Sequence, residues 1–322
     1  MLKHPNNIIG DAWFYAEADV AHAYYLTCAS DIPAHTAWDI GHASSTDLIE
    51  WTVHDLALRR GKTGSWDETL ATGTTVKTPE GYAMAYTSSG KAETGMAWSN
   101  DLFTWTRHVG NPTTTCDGHD YELMSTGLRK ALHWRDPFVF YHGGLWHQIV
   151  CASRSHAADS SHGTVGWAVS DDLKIWTLLP PPDIYPFSQE MECPQIYHRN
   201  GKFYLVFSAF PQLLLPGARA LIEVNGEWAK VLSSLPWNLD PAVNHGPSTF
   251  VLMSHQLRGP YRPPARPTLF SPADPVQPYA CQLLSFKGVD YCLGTVWAEG
   301  GESYISDPIP VAFEEDGIRT LS

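Results

Sequence analysis

Three acidic residues head runs that are otherwise apolar and aromatic. They are Asp11 in Ile9-Gly10-Asp11-Ala12-Trp13-Phe14, Asp136 in Trp134-Arg135-Asp136-Pro137-Phe138-Val139, and Glu192 in Met191-Glu192-Cys193-Pro194-Gln195-Ile196. A carboxylate in such a run loses hydration, a cost that persists unless it is paired or serves chemistry. Taken singly, each also reads as a turn-capping side chain. Brought together, three carboxylates raise the proton affinity of one of them. One protonated acid beside an ionised carboxylate is the combination that glycoside cleavage requires. The chain therefore needs an architecture that brings the starts of three strands to one place.

A repeat supplies that architecture. Ser45-Thr46-Asp47-Leu48-Ile49-Glu50-Trp51-Thr52 returns as Ser99-Asn100-Asp101-Leu102-Phe103-Thr104-Trp105-Thr106 and as Ser170-Asp171-Asp172-Leu173-Lys174-Ile175-Trp176-Thr177. A degenerate fourth copy begins at Ser254. In this S-x-D-L-x-x-W-T pattern, Asp accepts backbone N–H bonds in a turn before an outer strand, and Leu and Trp pack between units. Hairpin turns stand at Gly81, Gly143-Gly144, Asn200-Gly201 and Lys287-Gly288, and a fifth lies near Glu17–Ala21. Short strands closed by such turns read as antiparallel hairpins. Units of about 50 residues that cannot bury both faces alone stack radially. The prediction is an all-β, five-bladed β-propeller spanning 1–322 as one domain, with no C-terminal β-sandwich domain. A β-sandwich has similar strand density, and turn spacing alone does not separate the two. The stretches 110–132, 178–190 and 258–278 are expected as loops on the propeller faces.

Composition agrees. Charged residues are 17% of the 322, against about 25% in an average domain, while the chain holds 13 Trp, 14 Tyr, 25 Gly and 24 Pro. That profile suits turn-rich β structure. The formal net charge of −13 argues against nucleic acid and anionic membrane surfaces as partners. No apolar run reaches the roughly 18 residues of a membrane span. The start Met1-Leu2-Lys3-His4-Pro5 lacks a secretory h-region, so a cytoplasmic location is expected, with reduced thiols. None of the six cysteines forms a C-x-x-C pair, and none of the 15 histidines forms H-E-x-x-H, so no metal site and no organic cofactor are assigned. His245 sits where a fifth blade would begin, but a calcium site there would need several oxygen ligands. Trp13, Trp38, Trp66 and Trp134 lie beside the acidic motifs, either as stacking platforms for sugar rings or as core between blades. Asp67 reads as a ligand for a sugar hydroxyl or as an ordinary turn residue.

The ordered motifs resemble glycoside hydrolase family 32, the β-fructofuranosidases. Arg135-Asp136-Pro137 and Glu192-Cys193-Pro194 look like its R-D-P and E-C motifs. Trp38-Asp39-Ile40-Gly41-His42-Ala43-Ser44-Ser45-Thr46-Asp47-Leu48-Ile49-Glu50-Trp51 is similar to its W-G-H-A-x-S-x-D-L-x-x-W segment, and Ser65-Trp66-Asp67 with Ala71-Thr72-Gly73-Thr74 to its substrate-binding stretch. The resemblance implies a retaining hydrolase acting on a small oligosaccharide or glycoside, with Asp11 as nucleophile, Glu192 as general acid/base with a raised pKa, Asp136 as transition-state stabiliser and Arg135 supporting the cluster. Gly10-Asp11-Ala12 stands where the family carries N-D-P-N-G, and the related families 43 (inverting arabinofuranosidases and xylosidases) and 68 (fructosyltransferases) share the acidic triad. Those activities, and a non-catalytic sugar-binding propeller, are the alternatives.

Overall fold

A computed structural model describes residues 1–4, 6–32, 36–88, 90–124, 132–155, 163–224, 228–234, 246–298 and 302–321. The strands of these residues form five antiparallel sheets, within 7–53, 70–115, 121–179, 192–254 and 279–320. Their inner strands are Asn7–Glu17, Leu70–Thr78, Arg135–His142, Glu192–Arg199 and Tyr279–Phe286. Each inner strand packs against the next, and the fifth returns to the first. The fold is a five-bladed β-propeller, as the repeat predicted.

All five predicted hairpins join the inner strand of a blade to its second strand. At Asn200-Gly201 both turn residues have positive φ, 52° and 72°. That is the twist-matched two-residue turn, which Asn and Gly accept with least strain.

The repeated octapeptide is one turn built three times. Ser45 Oγ accepts the N–H groups of Asp47 and Leu48 at 3.2 and 2.8 Å, and Asp47 Oδ1 accepts those of Ile49 and Glu50, both at 2.9 Å. Ser99 with Asp101 and Ser170 with Asp172 repeat the same bonds. These backbone N–H groups hold the three Asp carboxyls below their usual pKa. The Leu takes a left-handed φ of 66°, 68° and 64° at Leu48, Leu102 and Leu173. That conformation costs about 1–2 kcal/mol, which four bonds at roughly 0.5–1.5 kcal/mol each outweigh. The Trp indole closes the turn by donating to the Leu carbonyl at 3.1–3.2 Å. Ser99→Ala strands the buried Leu102 N–H and should cost about 1–2 kcal/mol, read as a lower urea midpoint at unchanged slope. Ser45→Ala and Ser170→Ala should cost the same, because the geometry repeats. A negligible or widely unequal cost among the three would contradict this account.

The core consists of wedges between blades. Leu48 packs with Phe14, Leu284 and Phe286 where blades 1 and 5 meet, and Leu173 with Ala83, Met96 and Val139 where blades 2 and 3 meet. Two expectations need correction. Blade 5 begins at Tyr279, well after position 245, because Thr249–Ser254 is the third strand of blade 4 and the degenerate fourth copy follows it. His245 itself lies outside the described residues. The stretches read as loops contribute to sheets: Thr114–Thr115 pairs in blade 2, Tyr121–Glu122 and Thr177–Leu179 pair in blade 3, and 262–269 runs along Thr249–Ser254. Pro263, Pro264 and Pro267 lack N–H donors, so this last segment makes separate bridges instead of a fourth strand. Two helices, Pro216–Val224 and Ala229–Ser234, are inserted between two strands of blade 4 and leave the all-β architecture as predicted. Ala218, Ile222, Trp228 and Leu232 bury this excursion against Phe207 and Phe250.

Candidate active site

Every inner strand starts with a β-bulge. The register shifts between Ile9 and Ala12, Ala71 and Gly73, Arg135 and Phe138, Glu192 and Gln195, and Tyr279 and Gln282. A bulge leaves a residue unpaired and re-aims its side chain. The bulges carry Asp11, Thr72, Asp136, Cys193 and Ala280, and Asp136 and Cys193 have φ of 60° and 47°. The two X-Pro steps, Asp136-Pro137 and Cys193-Pro194, remove an N–H where the ladder is already broken.

These bulges bring the three acids together. One oxygen each of Asp11 and Asp136 and the Cys193 sulfur lie within 4.8 Å of one another. Thr72 Oγ1 donates to Asp11 Oδ2 at 2.7 Å, and the Cys193 N–H donates to Asp136 Oδ2 at 3.1 Å. The Asp136 N–H is held by Thr87 Oγ1 at 2.9 Å. Arg135 lies between the carboxyls. Its Nη2 is 2.8 Å from Glu192 Oε1 and 3.1 Å from Glu190 Oε2, its Nε is 3.7 Å from Asp136, and its Nη1 donates to the Leu132 carbonyl. Tyr279, from blade 5, donates its hydroxyl to Glu192 Oε2.

Burial dominates the electrostatics. Loss of hydration raises the Asp11 carboxyl, opposed by the Thr72 bond and reinforced by Glu192. The same loss lifts Asp136 to about 6, against the pull of Arg135. The Cys193 thiol is driven far upward and stays protonated. Two carboxylates and a neutral thiol fall short of the six to eight oxygens that calcium prefers. The second acidic group, Asp117, His119 and Asp120, lies in a largely exposed turn.

The other predicted site residues divide. Trp13, Trp38 and Trp134 are 0–2% exposed, so no face is left for a sugar ring. Trp13 donates to Thr75 at 3.2 Å and lies against Tyr24, and Trp134 donates to Thr114 at 2.9 Å. These three indoles are blade packing, which corrects the stacking expectation. Trp66 is half-buried against Tyr86. Asp67 is buried and paired with Arg107 at 2.6 Å, an internal ion pair in place of a sugar contact. Glu190 and Tyr279 were missed. Glu190 precedes the E-C motif by two residues and was readable as a second acid there, whereas nothing local distinguishes Tyr279.

Residues 11–251 match the glycosyl hydrolases family 32 N-terminal domain. The chain is 27% identical over 219 residues to sucrose-6-phosphate hydrolase of Zymomonas mobilis, covering 64% of this chain and 40% of the relative. It is 27% identical over 216 residues to that of Escherichia coli, covering 64% and 41%. It therefore spans about 40% of the length of the curated relatives it matches. Among solved structures, a family 32 β-fructofuranosidase of Bombyx mori aligns with TM-score 0.69 and 18% identity, over 99% of this chain and 64% of that one. An inulosucrase from Halalkalicoccus jeotgali aligns with TM-score 0.71 and 20% identity, over 99% and 89%. Both share the propeller fold. Among the described residues, no helix is long and apolar enough to cross a membrane. With its first four blades matched in order by the family's N-terminal domain, the chain belongs to glycoside hydrolase family 32.

Proposed function

We propose that this chain is a retaining glycosidase that cleaves a terminal β-fructofuranoside of a small saccharide. What supports the reading is the convergence of Asp11, Asp136 and Glu192 on one set of bulged strand starts, with two acidic oxygens inside a 4.8 Å group and Arg135 touching the third acid. A non-catalytic sugar-binding propeller has no need to desolvate three acids together.

In this mechanism ionised Asp11 attacks the anomeric carbon while Glu192 gives its proton to the departing oxygen. The bond to the leaving group breaks as the bond to Asp11 forms. Glu192, now ionised, takes a proton from water, whose oxygen displaces Asp11 and restores the free acid. Thr72 aims Asp11, Tyr279 and Arg135 aim Glu192, and Asp136 stabilises the oxocarbenium-like transition state through the sugar hydroxyls.

The test is a panel of sucrose, sucrose 6-phosphate, a short β-2,6-linked fructan, and aryl fructo- and arabinofuranosides, with the released sugar followed by NMR. Fructose appearing first as the β-anomer is expected. An α-anomer first would replace retention by inversion, arabinose alone would change the sugar, and fructosyl oligosaccharides in place of free fructose would make the enzyme a transferase. No release from any member would refute the glycosidase reading. The rate should be bell-shaped in pH. Its acid limb should lie near pH 6, where Asp136 loses its proton.

A further inference from the structure

Glu190 is 1% exposed and has no part in the mechanism above. It accepts from the same Arg135 nitrogen that serves Glu192, at 3.1 against 2.8 Å, and its other oxygen is 3.8 Å from His133 Nε2. A guanidinium is a permanent cation. A cation this close to a carboxyl favours its ionised form by about 1–3 pH units. An acid that must deliver a proton to a leaving group is badly served by such a neighbour acting alone.

We propose that Glu190 is a positioning residue for the acid/base: it shares the Arg135 guanidinium with Glu192, so that Glu192 keeps a proton which an unshared guanidinium would expel. This rests on Glu192 being the acid/base. Arg135 and Glu190 form a neutral pair, and Arg135 still orients Glu192 without imposing its full charge. The groups facing Glu192 are Arg135 and Asp136 from blade 3, Asp11 from blade 1, the Tyr279 hydroxyl from blade 5, and the protonated thiols of Cys193 and Cys151. Those facing Glu190 are Arg135, His133 and the Cys151 thiol.

Glu190→Gln keeps the size and an acceptor oxygen and removes the charge. Its pH–rate profile on sucrose should have an alkaline limb displaced downward by about one pH unit, with kcat above that limb reduced about tenfold. An aryl fructofuranoside, whose leaving group needs no proton, should be cleaved within about twofold of wild type. Glu190→Asp keeps the charge at shorter reach, and its limb should fall between the two. If Glu190→Gln does not fold, Glu190→Asp carries the test. An unmoved alkaline limb in whichever variant folds overturns the proposal, as does equal loss on both substrates, which marks a merely structural role. Glu192→Gln is run alongside. If it gives no first-step burst of aryl alcohol while sucrose stays uncleaved, the acid/base assignment itself is wrong, and that failure is distinct from an unmoved limb in the Glu190 variants.

Discussion

Asp11→Asn should lower fructoside cleavage by about 10⁴-fold or more on every substrate. An amide cannot form the covalent intermediate, so no choice of leaving group rescues it. Glu192→Gln should behave differently. Sucrose turnover should fall by about 10²–10⁴-fold, while an aryl fructofuranoside passes the first step and stalls at the second, which needs the base. A fructosyl adduct should then accumulate on the peptide containing Asp11, detectable by mass spectrometry after rapid quenching. An adduct on Asp136 would exchange the roles of the two aspartates. A burst of aryl alcohol with no adduct would remove the covalent mechanism. Folding of both variants is checked by a cooperative urea transition; the Asp11→Asn midpoint should be unchanged or higher, since that substitution removes a poorly hydrated charge.

Asp136→Asn should make the protein more stable while stripping it of about 10²–10³-fold in kcat. Burial holds this carboxyl near 6, above the unfolded value of 3.8. The folded state thus keeps a proton that the unfolded state has released. Stability falls as pH rises from about 4 through 6, and the full cost is present above 6. Two units correspond to roughly 3 kcal/mol. The variant's advantage in Tm should be several degrees at pH 7–8, shrink below pH 6 and vanish near pH 4. The amide oxygen can still accept the Cys193 N–H, so the bulge survives. A variant less stable than wild type at pH 8 would show that the ion pair with Arg135, and not desolvation, governs this position. Asp11, raised by the same burial, contributes with the same sign.

The features legible in the sequence were those written in contiguous residues. The three S-x-D-L-x-x-W-T turns make their bonds within six positions, so their spacing showed the blades directly. Asp11, Asp136 and Glu192 stood out because acids in apolar runs are costly. The bulges left no such mark, since they arise from a mismatch between two strands and not from one of them. Tyr279 reaches Glu192 across 87 positions, a pairing set by ring closure. The buried tryptophans were ambiguous because an indole packs equally well on a sugar or between sheets, and only its position relative to the axis decides. The helices 216–224 and 229–234 fill a gap between two strands of blade 4, where tertiary packing and not periodicity selects them. Asp67 was misread for a related reason, since its partner Arg107 lies 40 positions away.

The ring of blades is covalently continuous at four of its five junctions. At the fifth, between the last blade and the first, side chains and backbone alone hold the circle shut. Leu2 bridges Ile305, the Ile9 N–H donates to Ser303, and Thr295 Oγ1 donates to the Gly10 carbonyl at 2.6 Å. Gly10 immediately precedes Asp11. Asp11, the proposed nucleophile, is thus mounted beside the one junction that no peptide bond spans. The packing and hydrogen bonds that close the circle therefore also fix the backbone on which Asp11 sits.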